Sequence, residues 1–193
     1  MTYVYFVPPR IKKFRDISAA ELGDYKRWFF EVLPSRIAGL QREVNLDAET
    51  RDWRPDHSRA SIESLGLWLA RHVEARARTP EEIDRIKGRL TFEVDVPDWD
   101  LTSKTSSLAV DVGMYFGETL RANFPIVEWY QPVKDKRYVD FGQVILRGFG
   151  KAEHNPVRVA ANVCRGLIGG RETGKRLGEV YDLWGAEAID AAR

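Results

Sequence analysis

TSSLAVDVGMYFGETLRANFPIVEW, residues 105–129, decides how the rest of the chain is organised. It reads as an amphipathic helix that stops at Pro125 and turns into a strand bearing Trp129. On such a helix Asp111, Tyr115 and Glu118 fall at i, i+4 and i+7, which puts two carboxylates and a phenol on one face. Gly113 and Gly117 lie four apart on an adjacent stripe, where a second backbone can come close.

Towards the C-terminus, Val127–Gln131 and Phe141–Leu146 read as two strands, with the charged run Lys134–Arg137 in the loop between them. The glycines of Arg147-Gly-Phe-Gly-Lys151 could bring backbone close to a ligand, but a turn closing the second strand is the commoner reason for such a pattern. Residues 156–168 are valine-rich yet long. Pro156 in a first turn and Gly169-Gly170 at the end favour a helix there. A last helix is expected from about Thr173 to Ala191.

Towards the N-terminus, Tyr3–Val7 is aromatic and β-branched ahead of Pro8-Pro9, which suggests a strand at a sheet edge or first in a sheet, followed by the polar connector RIKKFRD (residues 10–16). Ser18-Ala-Ala-Glu21 has the form of a capping box and predicts a helix from Ala19 to about Leu33. Pro34 then either kinks it or starts a second helix through Val44. Residues 45–57 are a polar loop, and Ile62, Leu65, Trp68, Leu69 and Val73 give a helical period up to about Arg76. Thr79-Pro-Glu-Glu82 starts a short polar helix to about Lys87, and Leu90–Val96 alternates as a half-buried strand. This is not a βαβ rhythm. The expected class is α+β, with five or six helices packed on a small, mainly antiparallel sheet, in one domain spanning residues 1–193.

Composition narrows the function classes. A 193-residue chain with 44% hydrophobic and 31% charged residues suits an ordinary globular core, burying roughly 70% of the unfolded surface. Thirty basic against twenty-nine acidic residues leave a net charge of +1. No net field therefore draws the chain to nucleic acid or an anionic membrane, unless the basic segments Arg10–Arg15 and Arg71–Arg89 converge. One cysteine, Cys164 in an apolar setting, points to a buried thiol and a reducing compartment. With no window approaching the ~20 apolar residues of a membrane span and no signal-like N-terminus, the expected location is the cytoplasm.

Known catalytic patterns are weak. Gly169–Lys175 has the G-x-x-x-x-G-K spacing, but Arg176 stands where a phosphate loop needs Ser or Thr, and only seventeen residues follow it. His57, His72 and His154 show no metal-ligand spacing, so no zinc and no cofactor is expected, and only an all-carboxylate magnesium site stays open. No G-x-S-x-G elbow is present. Asp111, Tyr115 and Glu118 could line a ligand pocket. The structural alternative has the carboxylates facing solvent or arginines such as Arg147 and Arg158, and Tyr115 in the core with its hydroxyl at the rim. Carboxylates seven residues apart are about 10 Å apart along a helix, too far to share a proton.

The six tryptophans offer a different chemistry. Trp53 and Trp99 lie in polar loops (RDWRPDH and DVPDWDL), where a tryptophan is either a lid over the core or an anchor for a partner. With Asp56, Asp98 and Asp100 they form an acidic and aromatic set suited to another protein with a basic surface, such as a nuclease toxin. The run LAVDVGMYFGETLRANFPIVEW, then DFGQVILRGFG and Pro156-Val157, resembles uncharacterised small bacterial proteins, among them immunity-type proteins of polymorphic toxin systems. That resemblance covers Leu108–Val157 and implies a stoichiometric binding protein with no catalytic residues to transfer. The expected function is thus non-enzymatic protein binding. The alternative is a small enzyme or ligand-binding domain with its pocket at the 105–122 helix.

Overall fold

The predicted capping box forms: Ser18 Oγ accepts from the Glu21 amide, and the Glu21 carboxylate accepts from the Ser18 amide at 2.6 Å. It opens α1 (Ala19–Val44), in a computed structural model that describes residues 3–6, 13–92 and 94–193. α1 runs through Pro34 without a restart. The ring is on the exposed side, and the buried residues Leu22, Phe29, Leu33, Leu40 and Val44 keep helical phase across it. Packing of that stripe outweighs the one backbone bond a proline removes.

α2 (Arg59–His72) stops before the expected Arg76. The amide of Glu74 donates to Thr105 Oγ1 and its carbonyl accepts from Thr102, so the chain straightens into β1 (Ala75–Ala77). After α3 (Pro80–Lys87), whose Thr79–Glu82 capping box also forms, β1 pairs antiparallel with β2 (Trp99–Leu101) in the register Ala77↔Trp99. The strand predicted over Leu90–Val96 is absent among its described residues; Glu93 lies outside them. Alternation requires a neighbouring strand, and β1 takes β2 instead. Tyr3–Phe6 likewise joins no sheet, and the rest of that expectation (Val7, Pro8-Pro9 and the first three residues of the connector, 10–12) lies outside the described residues.

α4 (Ser103–Asn123) begins at a Thr102 cap and is buried on nearly every side from Leu108 to Leu120. β3 (Glu128–Tyr130), β4 (Ile145–Phe149) and β5 (Ala152–His154) form a second antiparallel sheet in that order, with Trp129 opposite Leu146. β4 starts later than the expected Phe141 because Gly142, at φ +77°, turns its amide onto Pro132 O. Gly148, at φ +112° beside the Ile126 carbonyl, sits in the irregular stretch between the pairs Leu146↔His154 and Phe149↔Ala152. α5 (Pro156–Ile168), capped by Asn155, and α6 (Arg176–Ala191) complete an α+β fold. Among the described residues the strands make two small antiparallel sheets, not the single sheet expected.

The largest apolar cluster draws residues from α1, α2, α4, β4, α5 and α6, with α4 at its centre. α4 and α5 approach closely: a Cβ at Gly113 would lie 2.5 Å from Val157 Cα. Cys164 is buried on α5, and burial pushes its thiol up to about 12. Among the described residues no helix is long and apolar enough to cross a membrane.

Candidate functional site

α4 carries the three polar residues the sequence singles out, and each meets a different neighbour. Asp111 is fully buried against α1. Arg36 grips its carboxylate with two bonds, Nε to Oδ1 at 2.6 Å and Nη2 to Oδ2 at 2.7 Å, and Tyr3 Oη donates to Oδ2 at 2.5 Å. Arg36 also donates from Nη2 to Tyr3 Oη at 2.9 Å and from Nη1 to the Val4 carbonyl at 2.7 Å. Ser107, one turn before Asp111, accepts from the Phe6 amide and from Arg36 Nη2. Burial pushes the Asp111 carboxyl up to about 6, and the bonds from Arg36 and Tyr3 offset only part of that. At Arg36 burial opposes the charge, but the carboxylate outweighs it and raises the guanidinium pKa.

Tyr115 is also fully buried, and its hydroxyl is 2.6 Å from Ser61 Oγ and accepts from the His57 amide at 3.0 Å. His57 adopts φ +60°, and its carbonyl accepts from Asn123 Nδ2 at 2.7 Å. The phenol thereby pins the 45–58 loop to α4, and burial raises its pKa. Glu118, half-buried, accepts from Trp129 Nε1 at 2.6 Å and from Arg121 at 2.8 Å. Burial works against its charge, yet these two donors hold the carboxyl below its ordinary range. The shared face is real, but its three polar groups are spent on three contacts within the chain. The arginines are Arg36 and Arg121; Arg147 pairs with Glu128 and Arg158 with Asp140.

The acidic and aromatic set divides in the same way. Trp53 is 6% exposed, packs edge-on against Tyr115 and donates from Nε1 to Ser61 O at 3.0 Å. It is a lid over the core, which corrects its reading as a partner anchor: an indole buried to this degree has no face to offer. Trp99 is half-buried on β2 against the main cluster. Asp56 is exposed but accepts from the Ser58 amide at 2.9 Å at the start of α2, and its bonds to Ser58 lower its pKa. Asp100 lies 3.3 Å from Arg78, and its other oxygen accepts from the Leu101 amide. Asp98 is exposed, and its carbonyl accepts from Arg78 N. Asp47 and Glu49 share Arg71 and stand with α2.

The residue that sequence reasoning missed is Arg36. It falls three after Leu33 and four before Leu40, a charge set into the buried stripe of α1, and that interruption was the available signal. A second buried polar group joins Asp140, Asn155 and Arg158: Asn155 Nδ2 donates to Asp140 at 2.5 Å and Arg158 contacts the same carboxylate, which ties the 131–144 loop to the start of α5. Among the described residues no group of three or more His, Cys, Asp or Glu could hold a metal ion. Gly169–Lys175 links α5 to α6 with no strand before it, and Gly174 packs against the backbone of Leu67. No protein-family model, curated protein or solved structure matches this chain.

Proposed function

We propose that this chain is a non-enzymatic binding protein that sequesters another protein through the segment between α3 and β2. One observation carries the reading. Leu90, Phe92 and Val94 are 42%, 80% and 54% exposed, at alternating positions, and the exposed Asp95 and Asp98 follow them. Single apolar side chains on a surface are ordinary, but a row of them bordered by charge marks a contact surface. The segment offers apolar anchors beside carboxylates, so the partner it suits has an apolar recess rimmed by lysine or arginine. A basic toxin held in a stoichiometric, immunity-like complex fits that description. Cys164, free and buried, agrees with placing the protein in the reducing cytoplasm.

The test is co-purification of the tagged chain from its native cells, set against a Phe92→Ser, Val94→Ser, Asp98→Lys variant. These positions are exposed, so the variant is expected to keep the wild-type melting temperature and to lose a partner that wild type retains at near-equal stoichiometry. Retention of the partner by the variant, or a wild type that purifies alone, rejects this reading. Trp53 and Asp56 are left intact, because one fills the core and the other holds the amide of Ser58, the residue that caps α2.

A further inference from the structure

The Tyr3–Phe6 segment belongs to no sheet, yet it is held as a receptor holds a peptide. Two helices read it. The Tyr3 phenol reaches buried Asp111, the Val4 carbonyl takes Arg36 Nη1, and the Phe6 amide donates to buried Ser107. The Phe6 ring meets Trp28 of α1 at 5.3 Å. Val4 and Tyr5 face outward at 73% and 51% exposure. The contacts therefore select a tyrosine and, three residues on, an aromatic ring, and they hold the backbone between without regard to its side chains.

The receptor side does not need its occupant to stay satisfied. Arg36 and Asp111 are joined by two bonds of their own, so withdrawal of Tyr3 leaves no unpaired buried charge. Beyond Tyr3 and Val4 an open cleft continues along α1 past Ser35, Gly39, Arg42 and Leu46. A longer segment could lie there.

We propose that the α1–α4 groove is a peptide-binding site for a Tyr-x-x-aromatic segment, with Tyr3–Phe6 as its resident occupant and a partner protein's segment of the same pattern as its exchange ligand. This goes beyond the proposed function and does not depend on it, since the groove and the 90–98 segment are different surfaces. The resident segment competes at the high effective concentration of a tethered ligand, commonly near millimolar for short tethers. An incoming peptide must therefore bind more weakly to wild type than to a chain whose resident side chains are removed.

The probe is a fluorescein-labelled TYVYFV peptide (residues 2–7) with two added lysines, read by anisotropy against the full chain. The Tyr3→Ala, Phe6→Ala variant is expected to bind it saturably, at least tenfold more tightly than wild type. Replacing the first tyrosine of the peptide by phenylalanine should cost a further tenfold, because the hydroxyl between Asp111 and Arg36 is lost. No saturable binding to a variant that still melts cooperatively overturns the proposal, as does equal binding of the tyrosine and phenylalanine peptides. If the variant does not fold, hydrogen exchange on wild type decides. An exchangeable occupant requires the Phe6 amide to exchange at least a hundredfold faster than the amides of Leu108–Leu120, and equal protection rejects it. Loss of the partner in the Phe92, Val94, Asp98 variant with peptide binding intact would separate the two surfaces.

Discussion

Asp111 and Gly113 lie two residues apart on α4 and show how local placement sets the sign of an effect. The Asp111 carboxyl is pushed up to about 6 in the folded chain, against 3.8 as its ordinary value. Between these values the folded state holds more protons than the unfolded one. The contribution of this group to stability therefore falls as pH rises from about 4 to about 6 and is level above. Its full size is on the order of 3 kcal/mol. Carboxyls with lowered values, such as Glu118, act in the opposite sense, so the quantity to measure is a difference. In urea unfolding, the stability of wild type minus that of Asp111→Asn should shrink between pH 4.5 and pH 7. A difference that grows would mean that pairing with Arg36 outweighs burial. Glycines give a second contrast. Gly113→Ala would press a methyl onto the Val157 backbone, a loss of about 1–2 kcal/mol after the gain in helix propensity. Gly23→Ala, with nothing within 4 Å, should gain about 0.5–1 kcal/mol. Thermal melts of the two variants should move in opposite directions.

Among the elements, α3 has its full set of local signals and no core. Its capping box and first-turn proline form as the sequence predicts, yet none of its residues is buried. Thr79→Ala should cost about 1 kcal/mol of local stability. Hydrogen exchange of residues 83–87 should speed up several-fold while the global melting temperature stays within a degree. A large fall in that temperature would mean that α3 is coupled to the core. α1 is the reverse case. Its internal Pro34 is a local stop signal that the buried stripe overrides. α2 shows a third outcome, in which Thr102 and Thr105 at the start of α4 capture both backbone groups of Glu74 and convert the expected helix end into β1.

The whole molecule is arranged around α4, and this decides which tryptophans can be changed. Trp53→Ala should remove about 3–5 kcal/mol, because the indole fills a space walled by Tyr115 and its Nε1–H bond is lost. Trp99→Ala, at a half-buried position, should cost less than half of that in the same denaturant titration. Equal losses would place Trp99 as deep in the core as Trp53. Most helices were legible because their information is local: the Ser18 and Thr79 boxes, Pro156 with Gly169, and the apolar periods of α2 and α4. Strand ends were less legible, since a strand is defined by its partner. Leu90–Val96 has the alternation but forms no ladder among its described residues, while β1 pairs with β2 from a stretch that read as helix. The candidate site was legible as a shared face and not as contacts. Residue spacing alone determined that Asp111, Tyr115 and Glu118 lie along one side of α4. Only tertiary packing decided that Arg36, Ser61 and Trp129 meet them from three different parts of the chain, because a helix fixes the direction of its own side chains and says nothing of what is packed opposite.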